Sequence, residues 1–234
     1  MKQLLFSLIS IPVYAVLYLY TALMVVLSIF FKLCRLNKLV LYTIFLWGNG
    51  IFLLMGVRLK ITGKANIVKN KNYLLLANHS SLFDIPAIMA VLPGVSWFGR
   101  DYLTRIPIFG YLLRLINYIP MKSTDMRNTK NMLNTLISNS RGLTIAMFPE
   151  GTRTMTGDLQ NLKRGFIHVL RAADIDILPV TLKGMFELKP KTRFSIRLFS
   201  VVEVEIKPVV LKSSLNAMSD QEILNTIGNC LNPN

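Results

Sequence analysis

The chain has no acidic residue before Asp84. Ahead of that position stand Lys2, Lys32, Arg35, Lys38, Arg58, Lys60, Lys64, Lys69 and Lys71, all basic. Acids are scarce throughout, 12 against 27 Lys and Arg, and the net charge is +15. Cysteine is limited to Cys34 and Cys230. These two lie far apart and match no metal-ligand spacing, so free thiols are the plain reading. No Gly-x-Ser-x-Gly elbow is present, which removes the usual frame of a serine nucleophile. RNA-binding and zinc-finger signatures are missing as well.

Apolar residues are abundant. They make up 52% of the chain, and a mean hydropathy of +0.45 exceeds that of an ordinary soluble domain. Leu4 to Phe31 carries no charge, longer than the roughly 20 residues a spanning helix needs. It is too long for a signal-peptide core and has no convincing small-residue cleavage site, so it reads as retained. Pro12 should kink it or mark the start of its regular part. A second uncharged run, Leu39 to Val57, contains Trp47, Gly48, Asn49 and Gly50, breaks that a simple span rarely wants.

The basic clusters flank these runs. A nucleic-acid binder would set such charge against phosphates. A membrane protein would rest it on anionic headgroups, at about 1 kcal/mol per Lys or Arg. The flanking position favours the membrane, and no nucleic-acid partner is expected. A two-span hairpin would put Lys32, Arg35 and Lys38 opposite Lys2 and the globular part, against the positive-inside rule. Two helices dipping into one leaflet keep every cluster on the cytoplasmic face. The remaining arrangement has the first segment spanning and the second buried against the domain. Residues 1–60 are thus expected to anchor the protein, and residues 61–234 to form the catalytic domain.

From Ile61 the pattern turns to α/β. Strands are expected at Tyr73–Ala77, Val95–Phe98, Leu143–Phe148, Ile177–Leu182, Phe194–Phe199 and Val201–Lys207. Helices are expected from Ile85-Pro86, over Ile108–Ile116, from Asp125 to about Ser138, and over Gly165–Ala173. Ser219-Asp-Gln-Glu222 is a capping box that opens a last helix. This alternation predicts a mostly parallel sheet flanked by helices. Ligands on such sheets bind in loops at the carboxyl ends of strands. The loops Asn78–Asp84 and Pro149–Arg153 both follow predicted strands, so one edge could carry both.

His79 and Asp84 sit five apart, across a loop into a helix start. A neutral imidazole can take a proton from a hydroxyl, and a carboxylate on its other nitrogen would orient it. Alone this spacing is a weak signal, and a structural His with a helix-capping Asp is the plainer reading. Ser80 and Ser81 suit loop hydrogen bonding, and His168 suits a packed helix residue. In Phe148-Pro-Glu-Gly-Thr-Arg153, Gly151 allows a tight turn and close backbone approach. Arg153 can fork onto a phosphate, and Glu150 could accept from a substrate hydroxyl or position Arg153. A strand-end turn with a surface ion pair is the plainer alternative. Lys163 and Arg164 are phosphate contacts or solvated charges.

In order along the chain, these blocks resemble the lysophosphatidic acid acyltransferase (PlsC-like) family of glycerolipid acyltransferases. Asn78-His79 with Asp84 matches its His-x4-Asp motif, and Phe148–Arg153 matches its Phe-Pro-Glu-Gly-Thr-Arg block. Leu103 with Pro107, Phe109 and Gly110, Lys163-Arg164-Gly165, and Leu178-Pro179-Val180 are similar to further blocks. Two stretches depart. The family often has Lys-x-Glu-Leu where this chain has Arg100-Asp-Tyr-Leu103. It commonly ends its second block in Gly-x3-Ile-Asp-Arg, where this chain reads Asn117-Tyr-Ile-Pro-Met-Lys122. Lys122 keeps a cation there but lacks the planar fork of Arg.

The resemblance implies a glycerolipid-acyltransferase-like α/β fold behind a two-helix membrane anchor. It implies acyl transfer from acyl carrier protein or coenzyme A to the free hydroxyl of lysophosphatidic acid, giving phosphatidic acid. His79 would act as base and Asp84 would orient it. Glu150, Gly151, Thr152 and Arg153, with Arg100 and Lys122, would bind substrate. Neither a metal nor a bound cofactor is implied, because the thioester donor is already activated. The departures leave another lysophospholipid or a lyso-aminolipid open as acceptor. A non-catalytic lipid-binding protein is the alternative of another class. The one-leaflet arrangement has a direct test: a reporter fused at Lys38 should read on the cytoplasmic side, and a signal from the opposite side would rule it out.

Overall fold

The computed structural model describes residues 2–115, 118–121 and 143–233. Two long apolar helices come first, α1 (Lys2–Leu33) and α2 (Asn37–Leu54). Both are long and apolar enough to cross a membrane, by length and composition. Helix α1 runs on through Pro12, although that residue cannot donate to the ladder.

Helix α2 is likewise unbroken across Trp47–Gly50, because its unusual residues are docking points. The Trp47 indole donates to Thr21 Oγ1 of α1 at 3.1 Å. Tyr20 of α1 donates to Leu46 O at 2.8 Å, and its phenol fills the space a Cβ at Gly50 would need. Gly48 faces the other way, onto α3 (Asp84–Met89). A Cβ at Gly48 would stand 2.6 Å from both Ala90 N and Pro86 O. Asn49 donates to Phe45 O and to Ala90 O. The second apolar helix is thus clamped to the helix that opens with Asp84.

The described strands form one sheet of seven: β1 (Arg58–Thr62), β2 (Tyr73–Ala77), β3 (Ser96–Arg100), β4 (Ile119–Met121), β5 (Ile145–Met147), β6 (Asp176–Lys183) and β7 (Val201–Ile206). Their order is β1-β7-β6-β2-β5-β3-β4. Pairing is parallel throughout except between β6 and β7. Every residue of β2 is buried, as expected of a central strand covered on both faces. Its side chains alternate between two cores. Tyr73, Leu75 and Ala77 join the core shared with α1, α2 and α3. Leu74 and Leu76 join a second core beneath α5 (Gly165–Ala172) and α8 (Asp220–Leu231). Short helices α4 (Phe109–Leu115), α6 (Met185–Leu188) and α7 (Lys212–Leu215) complete the set.

Most predicted elements stand where the sequence places them, and the capping box at Ser219–Glu222 forms with both of its hydrogen bonds. The predicted strand Phe194–Phe199 does not form. Its apolar residues answer to helix α1 instead of a strand partner. The Tyr14 hydroxyl donates to Phe194 O at 2.9 Å, with the two rings 5.1 Å apart. Ile196 N donates to Ser10 Oγ at 2.9 Å. Strand β1 was hidden by its charges. Arg58 and Lys60 are exposed while Leu59 and Ile61 lie half-buried, so a half-buried strand reads as a basic flanking cluster, and the boundary expected at residue 60 falls inside it. The helix expected from Asp125 lies outside the described residues. His168, expected to be packed, is exposed on α5.

Gly48→Ala should pull α2 from α3, because backbone atoms cannot give way as a flexible side chain can. A cost of about 1–3 kcal/mol is expected, read as a lowered melting temperature in detergent. Gly165→Ala, where a Cβ meets nothing within 4 Å, should be neutral or slightly stabilising. Equal melting of the two variants would remove the close α2–α3 contact as a constraint.

Candidate active site

Strands β2 and β5 are adjacent and parallel, with Leu76 beside Met147. The loops that follow them, 78–84 and 148–153, therefore leave one edge of the sheet together. Asn78 ties the first loop to the neighbouring strand β6. Its Nδ2 donates to Leu182 O at 2.9 Å, and its Oδ1 accepts from Leu182 N at 2.7 Å. The side-chain amide thus extends the sheet by one rung where β2 has ended.

Asp84 is fully buried and gathers the loop around one oxygen. Its Oδ2 lies 2.8 Å from His79 Nδ1 and accepts from Ser80 N and Ser81 N, each at 2.8 Å. Oδ1 has no hydrogen-bond partner among the described residues. A carboxylate against Nδ1 keeps the proton on that nitrogen and leaves Nε2 with a free lone pair. The His79 side chain is 19% exposed, enough for a reactant to reach it. Phe148 stacks on the imidazole, ring centres 3.8 Å apart and planes 7° from parallel. Trp97 backs Phe148 at 5.2 Å. The ring is therefore held along one edge by Asp84 and across one face by Phe148.

The second loop is bound to the first by Glu150, which is 2% exposed. Its Oε1 accepts from His79 N at 2.6 Å. Its Oε2 accepts from Gln160 N at 2.9 Å and from Gln160 Nε2 at 3.3 Å. Burial pushes the Glu150 carboxyl above the usual glutamate value, and these donors, with the His79 charge, oppose the shift. Both of its oxygens are thus committed to protein donors. The hydrogen bonds of Glu150 tie the two loops together, a role that its sequence context did not suggest. Thr154 N donates to His79 O at 2.8 Å, so the two loops hold His79 by both its amide and its carbonyl.

Gly151 adopts φ +74, and a Cβ there would meet Lys163 Nζ at 2.9 Å. That places the Lys163 ammonium over the turn. Thr152 O accepts from Gln160 Nε2 at 3.0 Å. Arg153 is partly exposed. Arg100 ends β3, and its side chain lies outside the described part of the structure. Lys122 lies outside the described residues.

A buried carboxylate on the imidazole, an open Nε2 and a nearby cation-bearing loop make an arrangement that can take a proton from a hydroxyl. The family model described as Acyltransferase matches residues 58–183, more than half of the chain. The chain belongs to this acyltransferase family. It is 31% identical over 129 residues to 1-acyl-sn-glycerol-3-phosphate acyltransferase of Cocos nucifera, covering 53% of this chain and 41% of that protein. With the protein of that name from Borreliella burgdorferi it shares 31% identity over 132 residues, 55% of this chain and 52% of the other. The chain spans about half, or less, of the length of these curated relatives. Its fold matches the crystal structure of the 1-acyl-sn-glycerophosphate (LPA) acyltransferase PlsC from Thermotoga maritima, with a TM-score of 0.83 and 23% identity. That match covers 99% of this chain and 96% of the other.

Several residues of this acyltransferase-family site carried no usable sequence signal. Asn78 acts as a peptide mimic only because β6 lies beside it. Gln160 meets Glu150 across ten residues of loop. The Phe148 ring was visible as a strand end, not as a wall for His79.

Glu150→Gln keeps the shape but turns one acceptor into an NH2 group. It should cost about 1–3 kcal/mol of stability and lower turnover by displacing His79. The pH dependence has a definite sign. A carboxyl raised above its unfolded value gives its stability contribution in full at low pH and loses it as pH rises. The stability advantage of wild type over Glu150→Gln should therefore narrow as pH climbs from the ordinary value of 4.5. Parallel melting curves from acid to neutral pH would contradict this.

Proposed function

We propose that this chain is a 1-acyl-sn-glycerol-3-phosphate acyltransferase of phospholipid biosynthesis. It would move a fatty acyl group from acyl carrier protein or coenzyme A to the free hydroxyl of lysophosphatidic acid, giving phosphatidic acid. The observation that carries the proposal is the His79–Asp84 contact at 2.8 Å, with Ser80 N and Ser81 N on the same carboxylate oxygen. The names of the curated relatives support the choice of acceptor.

In this proposal His79 Nε2 takes the proton of the lysolipid hydroxyl as its oxygen bonds to the thioester carbonyl carbon. Asp84 holds the ring and stabilises the imidazolium that forms. Collapse of the tetrahedral intermediate breaks the carbon–sulfur bond, and the imidazolium returns its proton to the departing thiolate. No acyl-enzyme forms, because the nucleophile is the substrate itself. No metal is called for, since the thioester is an activated donor. Arg153 lies one residue from the Thr154 amide that binds His79 O, suitably placed for the acceptor phosphate. Helices α1 and α2 suit membrane association, which brings the site to a substrate that lives in the bilayer. The basic clusters around them favour its cytoplasmic face.

Acyl transfer by purified protein is the test. His79→Ala should lower turnover by about a hundredfold to ten-thousandfold with an unchanged melting curve. Asp84→Asn should cost at least about a hundredfold by releasing the ring. Full activity of His79→Ala would end the proposal.

A further inference from the structure

Lys189 follows α6 and is only 7% exposed, which is rare for a lysine without an acidic partner. Its ammonium donates to the carbonyl of the next residue, Pro190, at 2.9 Å. No ion pair among the described residues includes Lys189, Arg153 or Arg193. Yet all three approach the His79 loop or its support. Ser81, next to the dyad, donates through Oγ to Lys189 O at 2.8 Å. Arg153 adjoins Thr154, whose amide binds His79 O. Arg193 is held by carbonyls on either side of Lys189: Nε donates to Ser195 O at 3.0 Å, and Nη2 to Glu187 O at 2.5 Å and Leu188 O at 3.0 Å.

The three cations share one field. Burial first, and the charges of Arg153 and Arg193 second, hold the Lys189 ammonium below the ordinary lysine range. Tyr14 of α1 feels the same two guanidinium groups, and its hydroxyl binds Phe194 O. The cluster therefore lies on the side of the site that faces the first apolar helix. Three cations converging without an anion, one of them buried, repel one another and pay for desolvation with no pair formed. A bound dianion would relieve both costs.

We infer that Lys189, together with Arg153 and with Arg193 behind it, forms the seat for a phosphomonoester dianion, the headgroup phosphate of the lysolipid acceptor. This rests on the acceptor proposed above and extends it to two residues outside the motif blocks. The same chemistry would accept a phosphate of a coenzyme A donor. The position against Tyr14 and Phe194, at the membrane helix, favours the lipid.

The test is steady-state kinetics of Lys189→Met and Lys189→Arg in detergent, with lysophosphatidic acid and with 1-monoacylglycerol, which has a hydroxyl and no phosphate. Lys189→Met should raise KM for lysophosphatidic acid about tenfold or more, the loss of one charge-assisted hydrogen bond. Turnover at saturation should fall much less, Lys189→Arg should restore most of the affinity, and the preference over 1-monoacylglycerol should shrink. Without substrate, Lys189→Met should melt no lower than wild type, because it removes a buried unpaired charge. Equal losses on both acceptors, or a lowered melting temperature, would make Lys189 a structural residue and overturn the inference. A rise confined to the KM of coenzyme A thioester would overturn the lipid assignment. If wild type fails to acylate lysophosphatidic acid, the proposed function falls. Binding of inorganic phosphate to wild type and Lys189→Met then decides the seat: weaker binding by the variant supports it, and equal binding ends it.

Discussion

Everything at the sheet edge depends on one buried oxygen. Asp84 Oδ2 collects the His79 imidazole and the amides of Ser80 and Ser81. Without it, two buried amide donors would lose their acceptor, and the loop that carries the base would lose its shape. Charge-assisted bonds of this kind are roughly twice as strong as neutral ones. The carboxylate is therefore both the loop's anchor and the partner of the His79 ring, and its burial keeps water from competing for either task. Glu150 repeats the device one loop away, where a second buried carboxylate holds His79 through its backbone amide. His79 is fixed at ring, amide and carbonyl, the kind of preorganisation that a proposed proton transfer needs.

The apolar helices are part of this arrangement. Gly48 brings α2 against α3 at the closest distance a backbone allows, and α3 begins with Asp84. Trp47 and Tyr20 tie α2 to α1, and α1 holds the loop that contains Phe194 and Ile196. A membrane segment joined only by a linker would leave the site free to face any direction. Here the same contacts that bury α2 also set the His79 edge of the sheet relative to the apolar surface of α1.

Charge is distributed by a similar logic. Away from the site several cations are paired: Lys71 with Asp176, Lys183 and Lys207 with Glu205, and Arg171 with Asp220. Beside the dyad, Arg153 and Lys189 have no such partner among the described residues.

The two apolar helices, the mostly parallel sheet, the His79–Asp84 spacing and the Phe148–Arg153 block were legible from local pattern. Apolar runs, strand alternation and residue spacing are local quantities, and they are governed by local physics. The rest was not local. Phe194–Phe199 alternates like a strand but packs on a helix 180 residues away, since alternation reports which side is buried and not what buries it. Arg58–Thr62 stood out only as a basic cluster flanking an apolar run because the apolar half of its alternation is short. Glu150 could be named as important, but its partners lie 71 and 10 residues away. By itself the sequence determined the chemistry available: one histidine with a carboxylate five residues on, a phosphate-capable arginine, and a greasy, basic front. Only the tertiary structure decided which groups meet, because hydrogen bonds and unpaired charges take their meaning from neighbours that folding supplies.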